Sequence, residues 1–109
     1  SSAVTRVGVE SALAYSATKG WVDSFTLSLA SHLAPRDITV NAIAPGVIKT
    51  DMSDPMLAGG PDFILGKQAL KRIGQPEDIA HLAVALVGAG GAWTTGQVID
   101  ASGGSGIAF

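Results

Sequence analysis

The stretch Ile38-Thr39-Val40-Asn41-Ala42-Ile43-Ala44 decides the fold class, and Pro45-Gly46 ends it. It is short, rich in β-branched residues and nearly all apolar, which is typical of a strand covered on both faces in a parallel sheet. Residues 11–33 before it carry apolar side chains at four-residue steps, the period of an amphipathic helix. Pro35 ends that pattern, because proline cannot continue a helix. The sequence therefore predicts a helix followed by a buried strand.

The same alternation of helix and strand continues after this pair. A second helix is predicted from Pro76, because proline is favoured in a first turn and two acidic residues follow it near the positive end of the helix dipole. Gly88 is expected to cap that helix, and a short strand is predicted over 97–100. Residues 1–4 are interpreted as the end of a further strand that runs into a loop. This alternation predicts an α/β fold with a parallel sheet.

A long segment, 47–73, separates the first strand from the second helix. It contains Gly59-Gly60-Pro61 and scattered polar residues, so we expect a partly helical loop. Loops of this length inside a small domain are usually functional. Its apolar residues predict a mostly apolar lid over a substrate, compatible with a ketone, a sugar derivative, a steroid or an acyl carrier: Met52, Met56, Leu57, Phe63 and Leu65.

Composition limits the classes of protein to consider. The 109 residues are 47% hydrophobic and only 15% charged, with a mean hydropathy of +0.37, so we expect part of the packing surface to be covered by other segments or subunits. No apolar run approaches the roughly 18 residues that span a bilayer, and there is no cysteine. These features predict a soluble, cytoplasmic protein that neither spans a membrane nor uses disulfides.

Charge and histidine placement argue against two further kinds of site. The net charge is −2 and the Lys and Arg residues form no cluster, so nucleic-acid binding is not expected. His32 and His81 each lack a second ligand at metal spacing, so both are predicted to lie on helix surfaces or in an interface. No metal site is predicted.

Tyr15 and Lys19 are the residues with the clearest chemical potential. They are four residues apart at the start of the first predicted helix, so both side chains project from one face. An ammonium beside a phenol stabilises the phenolate form, and the hydroxyl can then act as a general acid or base near neutral pH. Taken alone, the same spacing is also that of an ordinary pair on an amphipathic helix.

The surrounding motifs favour the chemical interpretation. The segment 15–19 reads Tyr-Ser-Ala-Thr-Lys, and Ser2 lies thirteen residues before Tyr15. Three further segments follow in order: Asn41-Ala42-Ile43-Ala44-Pro45-Gly46, Gly74-Gln75-Pro76-Glu77-Asp78-Ile79-Ala80 and Thr95-Gly96-Gln97. Together they resemble the short-chain dehydrogenase/reductase family over essentially all 109 residues.

The resemblance implies the C-terminal part of a Rossmann-like doubly wound parallel sheet and hydride transfer between NAD or NADP and an alcohol or carbonyl substrate. It implies three catalytic residues, namely Ser2, Tyr15 and Lys19. It further implies a cofactor-binding set: Tyr15, Lys19, Pro45, Gly46, Ile48 and Thr50. Subunit association as a homodimer or homotetramer is expected, because the family uses the corresponding helices at its interfaces.

Two features of the family do not occur in residues 1–109, namely the glycine-rich Thr-Gly-x-x-x-Gly-x-Gly turn and the asparagine of the preceding helix. Glycines of that turn let the backbone approach the pyrophosphate, so this chain alone is expected to bind a dinucleotide poorly and to be inactive. Residues 1–109 are therefore interpreted as the C-terminal portion of such a domain. Asp37 and Ser102 depart from the family pattern, which commonly has glycine or asparagine and aspartate at these positions.

Other interpretations remain open at this point. Ser2 is also explained as a strand-end serine, Thr50 as a helix cap, and Asn41 as a structural bridge between neighbouring elements. The chain as a whole is alternatively a catalytically inactive fragment or an oligomerisation module derived from such an enzyme. A Ser/His/Asp hydrolase is disfavoured, because the chain has no Gly-x-Ser-x-Gly motif.

Overall fold

Two parallel strands and the helices around them form the structure, a computed structural model that describes residues 1–107. The helices and strands, in chain order, are α1 (Leu13–Leu33), β1 (Ala42–Pro45), α2 (Asp54–Leu57), α3 (Asp62–Gly66), α4 (Pro76–Val87) and β2 (Val98–Ala101). Short 3-10 helices cover Ala3–Thr5, Glu10–Ala12, Ala34–Arg36 and Ala89–Gly91. The predicted α/β alternation is confirmed.

Helix α1 agrees with the prediction for residues 11–33 to within two residues. Its last turn continues into the 3-10 helix Ala34–Arg36, which contains Pro35. Asp37 then adopts a left-handed backbone with φ of 56°. Glycine, asparagine and aspartate are the residues that tolerate this conformation best, which explains why Asp37 can replace the more common glycine or asparagine.

The first strand is shorter than predicted, and the second has the predicted length but is shifted by one residue. β1 pairs with β2 in parallel, with Ala42 opposite Val98 and Pro45 opposite Ala101. The prediction of a strand over 38–44 was wrong for its first four residues, and the strand predicted over 97–100 begins and ends one residue later.

Just before β1, side-chain hydrogen bonds supplement the backbone bond from the Gly96 N–H to the Val40 carbonyl, at 2.7 Å. The Val40 N–H donates to the Thr95 hydroxyl at 3.0 Å. The Asn41 amide donates to the Thr94 carbonyl at 2.9 Å and accepts from the Gln97 N–H at 3.1 Å. Side-chain partners thus satisfy backbone groups that a longer strand would pair through its backbone. The structural interpretation of Asn41 as a bridge is confirmed.

The segment 47–73 is partly helical, as predicted, since it contains α2 and α3. The interpretation of Thr50 as a helix cap was wrong, because Ser53 is the residue before α2 and the Thr50 hydroxyl contacts only the Ile48 carbonyl, at 3.4 Å. Residues 1–4 are also not the end of a strand. Ala3–Thr5 form a 3-10 helix, and the Ser2 hydroxyl caps it by accepting the Val4 N–H at 3.3 Å.

Helix α4 begins at Pro76, as predicted, and a short polar network holds its first turn. The Asp78 carboxylate accepts two hydrogen bonds from the Arg72 guanidinium, at 2.7 and 2.8 Å, and one from the Gln75 N–H at 2.7 Å. The helix ends at Val87, and the N–H of the following Gly88 donates to the Val84 carbonyl at 3.0 Å. The predicted cap is confirmed.

The core is small and consists of small side chains. The buried apolar residues are Ala3, Ala30, Ala42 and Ala44. Within residues 1–107 no large side chain is fully buried, and the radius of gyration of 15.0 Å exceeds the roughly 13 Å typical of a compact domain of this length. Much apolar surface therefore stays exposed on the helices. None of the helices within 1–107 is both long and apolar enough to cross a membrane.

Candidate active site

The predicted proton-transfer pair converges on one face of α1. The Lys19 Nζ atom lies over the Tyr15 ring, 5.3 Å from its centroid, within the range of a cation–π contact. Tyr15 is 40% exposed, and its hydroxyl makes no hydrogen bond with another group in the described part of the chain. The phenol is therefore open to a ligand, with a cation beside its ring.

Ser2 directly precedes the 3-10 helix Ala3–Thr5, which packs against α1. Its hydroxyl accepts the Val4 N–H, so the side chain has a structural role. A serine hydroxyl has one proton and two lone pairs, and accepting this bond leaves the proton free to be donated. No hydrogen bond joins Ser2 to Tyr15 within residues 1–107.

Pro45 and Gly46 bring the end of β1 close to the end of β2. The Gly46 N–H donates to the Ala101 carbonyl at 3.3 Å. A Cβ atom at Gly46 would lie 2.8 Å from the Ser102 Cα atom, closer than carbon atoms approach without displacement. Glycine is required at this position because backbone meets backbone, and the following loop starts from a tightly defined point.

Ile48 is the next predicted cofactor-binding residue, and backbone pairing with Gly74 holds its segment. Ile48 and Gly74 form an isolated parallel bridge, in which the Lys49 N–H donates to the Gly74 carbonyl at 2.8 Å. The Ile48 N–H itself finds no acceptor among residues 1–107. One backbone donor is thus available at the position where the family resemblance places a cofactor contact.

Ser53, which was not predicted as a site residue, forms hydrogen bonds with the backbone of both Thr50 and Ile48. The Ser53 hydroxyl accepts the Thr50 N–H at 3.0 Å and lies 2.6 Å from the Ile48 carbonyl, to which it donates. The Ser53 N–H in turn donates to the Thr50 carbonyl at 3.0 Å. The signal available in the sequence is the spacing Thr50-x-x-Ser53 directly before the Asp54-Pro55 helix start.

A shallow cavity of about 170 Å³ adjoins this loop. Its lining comprises Val47, Ile48, Gln68, Leu70, Arg72, Gly74, Asp78, Ala101, Ser102 and Gly103. Tyr15, Lys19 and Thr50 do not line it, and it is smaller than the roughly 300–1,000 Å³ typical of ligand pockets. Residues 1–107 therefore provide separate parts of a site rather than one enclosed pocket.

The histidines give no sign of a metal centre in the described residues. His32 and His81 are both exposed on helices. Within 1–107 no three His, Cys, Asp or Glu side chains come together as metal ligands.

Comparison with known proteins places this arrangement in a family. A family model described as enoyl-(acyl carrier protein) reductase matches residues 1–105. The solved structure of a short-chain type dehydrogenase/reductase from Mycobacterium ulcerans superposes with a TM-score of 0.91 at 31% identity, covering 95% of this chain and 38% of that one. The chain belongs to the short-chain dehydrogenase/reductase family.

Two further members of this dehydrogenase/reductase family are similar over the same share of the chain. A 3-oxoacyl-(acyl-carrier-protein) reductase of Staphylococcus aureus is 41% identical over 104 residues, which are 95% of this chain and 42% of the relative. The structure of the angucycline C-6 ketoreductase LanV, solved with bound NADP, has a TM-score of 0.85 at 30% identity and covers 95% of this chain and 40% of that chain.

The chain spans about two fifths of the length of the relatives that it matches. These structures also support the Rossmann-like α/β sheet as the fold to which β1, β2 and their helices belong.

Proposed function

We propose that this chain carries the proton-transfer side of an NAD- or NADP-dependent oxidoreductase that interconverts an alcohol and a carbonyl compound. The observation that carries the proposal is the approach of the Lys19 ammonium to the Tyr15 ring, 5.3 Å from its centroid, in a member of the short-chain dehydrogenase/reductase family. The proposal concerns the gene-encoded protein that contains residues 1–109.

Tyr15 is proposed as the general acid and base. Its exposed hydroxyl donates a proton to the substrate oxygen during reduction and accepts one during oxidation. The negative charge of the phenolate spreads into the ring, and the Lys19 cation over that ring stabilises it. Lys19 is also proposed to donate hydrogen bonds to the ribose hydroxyls of the cofactor.

Ser2 is proposed to orient the substrate. Its hydroxyl oxygen is held by the Val4 N–H, which leaves the proton available for the substrate oxygen. A donor fixed in this way places the carbonyl carbon for hydride transfer without having to reorganise during the reaction.

The loop after β1 is proposed to hold the nicotinamide end of the cofactor, which supplies or accepts the hydride when bound. Pro45 and Gly46 start this loop close to the end of β2, and the open N–H of Ile48 suits an amide oxygen. Thr50 is the remaining proposed contact. NADP in the LanV structure supports a nicotinamide cofactor, and the proposal covers both NAD and NADP.

Association into a homodimer or homotetramer in the cytoplasm is part of the same proposal. On α1 the rings of Trp21 and Phe25 stack at 4.8 Å between centroids, yet Trp21 is 63% and Phe25 46% exposed. Large apolar side chains grouped on a surface commonly mark a contact with another protein surface.

The test is Tyr15→Phe in the gene-encoded protein. Phenylalanine keeps the ring beneath Lys19 and removes only the hydroxyl, so kcat for the reduction of a panel of ketones by NAD(P)H should fall by about a hundredfold to ten-thousandfold. Cofactor affinity and thermal melting should remain close to those of the wild type. Full activity in Tyr15→Phe would overturn the catalytic assignment and favour the oligomerisation module.

A further inference from the structure

Ser53 lies at the centre of the polar contacts in the loop after β1. Its hydroxyl oxygen accepts the Thr50 N–H at 3.0 Å and lies 2.6 Å from the Ile48 carbonyl and 3.0 Å from the Thr50 carbonyl. The hydroxyl donates its single proton to the nearer of these two acceptors, the Ile48 carbonyl. The Thr50 carbonyl accepts the N–H groups of Ser53, at 3.0 Å, and of Asp54, at 3.1 Å. One half-buried side chain thus joins the two backbone positions that the proposed function assigns to the cofactor.

We propose that Ser53 is a positioning residue, which acts on the nicotinamide end of the cofactor by fixing the direction of the Ile48 carbonyl. The proposal rests on the proposed function, because it takes the loop after β1 to be the nicotinamide contact. Ser53 itself touches neither substrate nor cofactor in this scheme.

The chemistry of Ile48 explains what is being positioned. Its N–H has no acceptor among residues 1–107, and its carbonyl has two lone pairs, of which Ser53 uses one. A free donor and a free acceptor on the same residue match a primary carboxamide, which offers an oxygen and an NH₂ group. Nicotinamide carries such a carboxamide.

Few other contacts fix this peptide. On the far side of Ile48 the Lys49 N–H donates to the Gly74 carbonyl, which anchors the chain at one point. The Thr50 hydroxyl is 3.4 Å from the Ile48 carbonyl, too long for a strong bond. Without the Ser53 hydroxyl the Ile48 carbonyl is free to rotate towards solvent, and the Thr50 N–H loses its acceptor.

The experiment compares Ser53→Ala with the wild-type gene-encoded protein. Affinity is measured for three ligands, namely the intact nicotinamide cofactor, ADP-ribose or its 2′-phosphate, and acetylpyridine adenine dinucleotide, whose acetyl group has no N–H. Loss of one positioned hydrogen bond should weaken the intact cofactor by about three- to tenfold. Binding of the ADP-ribose ligand should be unchanged, and the acetylpyridine analogue should lose less affinity than the intact cofactor.

Two conservative variants keep the test decisive. Ser53→Thr retains the hydroxyl and should bind the intact cofactor as the wild type does. If Ser53→Ala does not fold, Ser53→Cys is measured in its place and should show the same selective loss, because a thiol is a weak donor.

Any other result contradicts either the positioning role of Ser53 or the proposed function. Unchanged affinity in Ser53→Ala, or an equal loss for the intact cofactor and ADP-ribose, overturns the positioning role, because a general structural defect does not select the nicotinamide. A wild-type protein that binds no nicotinamide cofactor overturns the proposed function itself. Loss of activity in Tyr15→Phe together with an unaltered Ser53→Ala overturns the role of Ser53 alone.

Discussion

Two aromatic–lysine pairs in this chain share one geometry but differ in their surroundings. On α1 the Lys19 Nζ atom lies 5.3 Å from the Tyr15 ring centroid, and at the end of α3 the Lys67 Nζ atom lies 5.7 Å from the Phe63 ring centroid. Both pairs have the four-residue spacing that brings side chains together on a helix. The contact by itself is therefore a property of helices, and it does not identify a site.

The difference lies in what each pair offers. Tyr15 has a hydroxyl, and the 3-10 helix that starts with the Ser2 cap packs against its helix. Phe63 has no ionisable group and is 73% exposed on a short helix of the loop. Proton transfer needs an acid or base next to the cation, and only the α1 pair provides one.

The largest expected effect is on turnover when each lysine is replaced by methionine, which keeps the length and removes the charge. Lys19→Met should lower kcat by about a hundredfold or more at saturating cofactor, because the phenolate loses its cation. Lys67→Met, the matched control, should leave kcat unchanged. Steady-state kinetics of the gene-encoded protein measure both, and equal effects would show that the two pairs do not differ in function.

A second, intermediate effect compares the packing at the start of the loop after β1 with the packing near α3. Gly46→Ala places a Cβ atom 2.8 Å from the Ser102 Cα atom, so unfolding free energy should fall by about 1–3 kcal/mol. Gly59→Ala in the open loop meets no atom within 4 Å and should change it by less than about 0.5 kcal/mol. Urea denaturation measures both variants. A tolerated Gly46→Ala would contradict the view that the loop after β1 starts from a fixed point.

The smallest effect concerns two exposed ion pairs, Arg72–Asp78 at the start of α4 and Lys49–Asp54 at the start of α2. The Arg72 guanidinium and the Gln75 N–H hold the pKa of Asp78 well below its usual value in the folded protein. The ionised Asp78 carboxylate therefore stabilises the fold at pH values above the pKa of an unfolded aspartate. This stabilisation is lost as the pH falls through the lower pKa of the folded state. Asp78→Asn should lower the melting temperature slightly at neutral pH, since exposed pairs contribute little. The difference from the wild type should shrink below about pH 4.

Asp54→Asn is the corresponding variant in the loop that carries α2 and α3. Within residues 1–107 the Asp54 carboxylate pairs with Lys49 alone, whereas the Asp78 carboxylate accepts from two partners. Its effect at neutral pH should therefore be smaller than that of Asp78→Asn. A larger effect would mean that the loop depends on its ion pair more than the start of α4 does.

The elements that were predicted well depend on local rules. Helix α1 follows from apolar residues at four-residue steps and from Pro35, and α4 follows from Pro76 and the acidic residues after it. The strands were located only approximately, because their ends are set by partners far along the chain. Asn41 illustrates this, since its bonds to Thr94 and Gln97 decide where β1 begins.

Some features of the candidate site also follow from local sequence rules, whereas others depend on the tertiary structure. The proximity of Tyr15 and Lys19 follows from the sequence alone, because a helix brings residues four apart onto one face. The role of Ser53 in the structure did not follow, because its hydroxyl meets Ile48 only once the loop after β1 has turned back on itself. The same is true of Gly46, whose glycine requirement comes from the backbone of Ser102.

By itself the sequence determined the α/β class, the two long helices and the family of this chain, since repeated spacing and short motifs act within one or two turns of backbone. Only the tertiary structure decided the strand ends, the support of Ile48 by Ser53 and the close approach of Gly46 to Ser102. These features depend on contacts between residues that local periodicity does not relate, and their geometry exists only when the chain is folded.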